Sequence, residues 1–227
     1  MKFSIAAMTM CFFVLVSPYQ AFGDVVLMPS ADGHAQSSGA NGITVDDTQT
    51  TIATFRSGGN NIRNGILEFD LSPYSAGTVV ESATLEFELT AALTNPVSTT
   101  LDLKVGQYIG NLVVDTGDFE DFGNFTGDIV TFDRTTNGGP GVGDVISINL
   151  NPLVIQSIID DPSLDSLGIR TATQSFANIQ FLSNEGAALN GGLAPTLTLS
   201  VPEPGSLAVV AFGGVGLLVR RRRQARI

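Results

Sequence analysis

Two stretches of this chain alternate between apolar and polar residues, and that period of two constrains the fold more than any other feature. In Ser82-Ala83-Thr84-Leu85-Glu86-Phe87-Glu88-Leu89, the residues Ala83, Leu85, Phe87 and Leu89 fall on one side and Thr84, Glu86 and Glu88 on the other. Gly65 to Leu71 repeats the pattern, with Leu67, Phe69 and Leu71 opposite Ile66, Glu68 and Asp70. Successive side chains of a strand point to opposite faces, so each stretch predicts a β-strand with one dry and one wet face. Further strands are expected at 25–28, 51–55, 100–105, 129–132, 145–150, 166–170, 178–182 and 196–201. Connections rich in Gly, Asn, Asp and Ser separate them, as in Ser57-Gly58-Gly59-Asn60-Asn61. One helix is predicted, after Asn151: Asn151 suits the N-cap, Pro152 the first helical position, and Leu153, Val154, Ile155, Ile158 and Ile159 are apolar. Many short strands with a single short helix predict an all-β fold, one antiparallel β-sandwich of jelly-roll type.

Three segments follow from the ends of the chain. Met1-Lys2 gives a small positive region before the apolar run from Ile5 to Val16, and Ala21-Phe22-Gly23 offers small residues for cleavage. Residues 1–23 therefore read as a signal peptide and 24–200 as the exported body. Cys11, the one cysteine of the chain, lies in the leader, so the body is expected to have no disulfide, thiol chemistry or cysteine metal site. The body holds five basic residues (Arg56, Arg63, Lys104, Arg134, Arg170) against 21 acidic ones, a net −16 compared with −11 for the whole chain. Such a surface repels nucleic acid, whose binding needs several positive contacts to phosphate. It suits a soluble body outside the cell, a divalent cation or a basic partner.

Residues 201–227 form the third segment. Val201-Pro202-Glu203-Pro204 is a short polar signature, an apolar run covers 205–219, and Arg220, Arg221, Arg222 and Arg223 close it as a basic stop. As a helix the apolar run would reach ~22 Å, short of the ~30 Å hydrocarbon core, so it predicts a transient transmembrane anchor. The arginines stay cytoplasmic, which puts the body outside. Proline on both sides of Glu203 favours an extended recognition peptide. In order, spacing and position this tail resembles the PEP-CTERM sorting signal of Gram-negative bacteria that make exopolysaccharide. The resemblance implies an exosortase as partner, which processes the tail and passes the protein to the cell surface.

The body has a likeness of its own. Arg63-Asn64-Gly65-Ile66-Leu67-Glu68-Phe69-Asp70-Leu71-Ser72 followed by Ser82-Ala83-Thr84-Leu85-Glu86-Phe87 resembles the start of DNRLRE-type domains, related to carbohydrate-binding module class 96. Phe181-Leu182-Ser183-Asn184-Glu185 and Ala194-Pro195-Thr196-Leu197-Thr198-Leu199 fit the end of such domains. The resemblance implies a β-sandwich that binds extracellular polysaccharide. Tryptophans, frequent in that family, are absent here, and Phe132 takes such a place.

Sugar binding needs aromatic surface and hydrogen-bonding groups. The candidates are Tyr74, Tyr108, Phe119, Phe122 and Phe125, with Arg56, Arg63, Asn60 and Asn61 as donors. Each phenylalanine could equally be core, and Arg63 could instead pair with Glu68, Asp70 or Glu185. A Ca²⁺ site, the cofactor to consider, is suggested by Asp115, Asp118, Glu120 and Asp121 in one glycine-containing loop. A merely solvated acidic loop has the same sequence. Glu86 with Glu88, or Glu68 with Asp70, has the spacing of a glycosidase pair, but alternating acids also keep a sheet face soluble. His34 lies in a flexible Asp-Gly-His-Ala stretch with no second His. No catalytic residue is assigned. The expectation is an exported, surface-targeted, non-enzymatic matrix protein that binds carbohydrate, with a structural coat protein or a polysaccharide-degrading enzyme as alternatives.

Overall fold

Strand β6 (Ser82–Thr94) is where the sheet turns on itself. Its first half pairs with β9 (Val145–Leu150) on one edge and β12 (Thr196–Pro202) on the other. Its second half pairs with β11 (Ala177–Leu182), with a shift of register between Gln180 and Phe181. The computed structural model describes residues 22–39, 42–57, 61–94, 100–121, 123–133, 141–174 and 176–202. Within them the body Gly23–Pro202 is one unit. Its other strands are β1 (Phe22–Leu27), β2 (Ala31–Ser38), β3 (Ile43–Asp46), β4 (Thr51–Arg56), β5 (Asn61–Asp70), β7 (Thr100–Ile109), β8 (Asp128–Asp133) and β10 (Ser166–Thr173). They follow the order β1-β12-β6-β11-β4-β5-β10-β7-β8, with β2 joining β5 to β3 and β9 added to β6. The body is therefore a curled, mostly antiparallel sheet.

The curl encloses the core. Leu85 and Phe87 of β6, Leu67 and Phe69 of β5, Ile179 and Phe181 of β11, and Leu197 and Leu199 of β12 are all 0 % exposed, as the alternation predicts. Phe87 and Phe181 meet with ring centroids 4.5 Å apart. Burying side chains of this size contributes about 1.5–3 kcal/mol each. The predicted helix is α1 (Pro152–Asp160), and the Asn151 side chain accepts from the Leu153 N–H at 3.0 Å. Ile155, Ile158 and Ile159 close one end of the core, whereas Leu153 is 74 % exposed.

Three expectations need correction. A second helix, α2 (Asn184–Asn190), follows Ser183, whose hydroxyl accepts from the Gly186 N–H, so the single-helix expectation fails. Strands β2 and β3 were not foreseen. His34 consequently sits in β2 and is buried, not in a flexible stretch. The expected membrane span 205–219 and basic stop 220–223 lie outside the described residues. Among those described, no helix is long and apolar enough to cross a membrane.

Candidate functional site

The face of β5, β10 and β7 opposite the core is covered, not wet. In register, Gly168 of β10 lies between Glu68 of β5 and Tyr108 of β7. A Cβ at Gly168 would overlap the Tyr108 ring, so the tyrosine lies across the glycine. Its hydroxyl donates to Glu68 Oε1 at 2.6 Å. Glu68 Oε2 accepts from the N–H groups of Asn111 (3.0 Å) and Leu112 (3.1 Å) and from the Ser166 hydroxyl (2.8 Å). Four donors offset the desolvation of a carboxylate that is 0 % exposed. Leu112 reaches it with φ 64°, a left-handed conformation that side chains disfavour.

Residues 110–121 and 123–127 fold over this face. Val114 and Phe119 pack with Ala35 and Ile66 in a second apolar cluster. Asp115 caps the 3-10 turn Thr116–Asp118, accepting from the Gly117 N–H at 2.6 Å, while its own N–H donates to Asp118 Oδ2 at 2.7 Å. Arg170 of β10, 6 % exposed, pins the turn from below. It donates to the Asp118 carbonyl and to Glu120 Oε2, and its guanidinium carbon sits 4.6 Å from the Tyr108 ring centroid. Asn64 donates to the Glu120 carbonyl at 3.0 Å, and Arg56 donates to Asp121 at 2.9 Å.

The four carboxylates proposed for Ca²⁺ thus face separate partners: Asp115 and Asp118 cap each other's turn, Glu120 meets Arg170, and Asp121 meets Arg56. Among the described residues, no three His, Cys, Asp or Glu side chains gather as metal ligands. The titration of Asp115, Asp118 and Asp121 reflects their surroundings. The Asn111 amide and Gly117 N–H hold Asp115 below the usual carboxylate range. Burial pushes Asp118 up against its bond from the Asp115 N–H. For Asp121 burial is outweighed by the Gly123 N–H and Arg56, and its pKa falls. Burial, then the bond to Glu68, pushes the Tyr108 hydroxyl up.

An open groove of about 290 Å³ remains where this segment meets β7 and β10. Gln107, Tyr108, Glu120, Asn124, Phe125 and Arg170 line it. Phe125 is 5 % exposed and rests on Gly106, with Lys104 Nζ 4.6 Å from its ring centroid. The groove is lined by two side-chain amides, a carboxylate and a guanidinium beside the two aromatic rings.

A second hollow of about 220 Å³ includes His34, Asp46, Gln49, Arg63 and Gln180 in its lining. His34 is 6 % exposed, and its Nδ1 has no hydrogen-bond partner among the described residues. Burial first, then the Arg63 charge, lowers its pKa from 6.5 to about 4, against the pull of Asp46. Arg63 donates to Gln36 Oε1 at 3.1 and 2.6 Å; no ion pair joins it to Glu68, Asp70 or Glu185.

Of the residues predicted for glycan, the structure places Tyr108 and Phe125 in the first groove and Arg63 in the second hollow. Tyr74 packs against the main core, Phe119 lies in the second apolar cluster, and Arg56 is held by Asp121. Asn60 and Phe122 lie outside the described residues. Sequence reading missed Gln107, Asn124 and Arg170. The cue for Arg170 was its strand, Leu167-Gly168-Ile169-Arg170, too apolar to leave a charge without a dedicated partner.

At the end of the body, Val201 and Pro202 belong to β12, while Glu203 and Pro204 lie beyond the described residues. Residues 200–223 match the PEP-CTERM protein-sorting motif. The motif marks an exported protein that an exosortase processes in membrane-associated sorting. No curated protein matches the chain.

Proposed function

We propose that this PEP-CTERM protein is a non-enzymatic component of an exopolysaccharide or biofilm matrix at a Gram-negative cell surface. Its body, read as a jelly-roll-like sandwich, contacts polysaccharide through the groove at Tyr108. One observation carries the reading: Gln107, Glu120 and Asn124 line an open groove together with Tyr108 and the buried Phe125 and Arg170. Hydrogen-bonding groups next to aromatic edges suit neutral or mixed sugars better than a strongly anionic chain, which the net −16 of residues 24–200 would repel.

Affinity electrophoresis of the exported protein through gels of neutral and uronic-acid polysaccharides, with and without Ca²⁺, tests this. Retardation that weakens in Asn124→Ala and Gln107→Ala is expected. Equal migration in every gel would leave a coat protein that binds no sugar. That second reading draws on the edge strand β8, which pairs on one side with β7 and exposes Ile129 at 56 %.

A further inference from the structure

Three residues with open bonding positions line the second hollow. His34, 6 % exposed, holds an Nδ1 with no partner among the described residues, and buried polar atoms seldom stay so. Arg63 commits Nε and Nη2 to one atom, Gln36 Oε1, which leaves Nη1 unbonded among the described residues. Asp46 accepts three bonds, from the Thr48 N–H, the Thr48 hydroxyl and the Gln49 amide, and a carboxylate has room for about four. The strands bring these groups together: His34 of β2 lies opposite Asp46 of β3, and Arg63 of β5 lies opposite Gln36, two residues along β2. Ala53 of β4, opposite Gln180 of β11, is the smallest side chain of the lining.

Charge decides what fits. Arg63 and Asp46 line one hollow with opposite charges, yet among the described residues no ion pair joins them. An anion alone would be drawn to Arg63 and repelled by Asp46, and a cation alone the reverse. A molecule carrying both charges meets each group with a charge-assisted bond, about twice as strong as a neutral one. A carboxylate suits the guanidinium, and an ammonium supplies N–H donors to the remaining acceptor position of Asp46. At about 220 Å³ the hollow is smaller than the ~300–1,000 Å³ of sites for drug-sized ligands, which limits the occupant to a small molecule.

We propose that this hollow binds a small zwitterion of the α-amino acid class, its carboxylate on Arg63, its ammonium on Asp46 and its α-carbon beside His34. The site shares no lining residue with the groove at Tyr108 and does not depend on the glycan reading.

His34 is the one histidine of the chain, so its ring protons give a single NMR reporter in the hollow. The test titrates the exported protein, purified without a histidine tag, at neutral pH and constant ionic strength. Glycine and L-alanine are the probes, and acetate, methylammonium and glucose are the controls. Either amino acid should move the His34 resonances saturably, with half-saturation about fivefold or more below that of any control, since no control offers both charges. Arg63→Gln should weaken this binding by about tenfold. No saturable shift, a control that binds as well as the amino acids, or an undiminished response in Arg63→Gln would each overturn the proposal. The comparison of probes needs no variant, so it decides the matter even where Arg63→Gln does not fold.

Discussion

Tyr108 reaches across Gly168 to donate its hydroxyl to Glu68 at 2.6 Å, joining β7 to β5 over the strand between them. This bond ties the wall of the groove to a fully buried carboxylate. The same carboxylate holds the first residues of the covering segment through the Asn111 and Leu112 N–H groups. Groove, buried acid and covering segment are one hydrogen-bonded assembly, so damage to any member should be felt by the others.

Tyr108→Phe keeps the ring and removes the donor. Glu68 retains three of its four donors, so the loss should be about 1–3 kcal/mol, as for a buried acceptor that loses a donor. Urea denaturation would read it as a lower midpoint at constant slope. A stability change below ~0.5 kcal/mol would mean that the three remaining donors suffice for the carboxylate.

Gly168→Ala should be more damaging, because its Cβ would overlap the Tyr108 ring and not the end of a flexible chain. Overpacking of this kind costs about 1–3 kcal/mol, and displacing the ring also forfeits the Glu68 bond. The double variant Gly168→Ala/Tyr108→Ala should regain part of the loss, since alanine removes the ring that the new methyl strikes. Independent, additive losses in that cycle would refute the contact.

How much of this could be read beforehand depended on which surface covered each face. Leu67, Phe69, Leu85 and Phe87 were legible because a sheet face against a core leaves a period of two in the sequence. Glu68 shares that pattern and was assigned to water, because alternation marks two faces and cannot say that residues 110–127 fold back over one. Helix α2 was hidden by its length: Asn184–Asn190 is seven residues long with Gly186 inside, and Ser183 was its one local signal. Strand β2 was missed since Ala31–Ser38 has Gly33 and no large apolar residue, its burial coming wholly from neighbours. The acidic loop was read for its charges, whereas its placement is set by Arg56, Arg170, Val114 and Phe119, three of them on other elements or outside the acidic run.

Acid should move the stability of this protein in two opposed ways. Burial first, then Glu185, raises Asp32 from 3.8 to about 6, against the bond it accepts from the Asn184 N–H. A raised acid binds its proton more readily in the folded state, so its contribution is full below pH 3.8 and falls as pH rises through about 6. His34 runs the other way: its folded pKa of about 4 lies below 6.5, so its contribution is full above pH 6.5 and is lost as pH falls toward 4. Between these limits the two slopes oppose, and the unchanged protein should show a shallow profile. In urea melts at pH 4.5 and 6.5, His34→Gln should be stabilised by acid and Asp32→Asn destabilised by it. Profiles of the same sign in both variants would contradict the assignment.

Arg170 is the bolt of the covering segment, and its replacement should loosen that segment before it unfolds the sheet. The guanidinium bonds the Asp118 carbonyl and Glu120 together while lying over Tyr108. A lysine keeps the charge but lacks the planar fork that serves these partners at once. Arg170→Ala removes both guanidinium bonds, with the partly exposed Glu120 returned to water, and should cost about 1–3 kcal/mol, with Arg170→Lys between it and the parent. Hydrogen exchange across residues 110–127 should quicken strongly in both variants, while amides of β6 and β11 follow only the global loss. If protection of 110–127 instead falls in step with β6, the segment is held by Val114 and Phe119 in their apolar cluster, and the arginine contributes to overall stability without locking the segment in place.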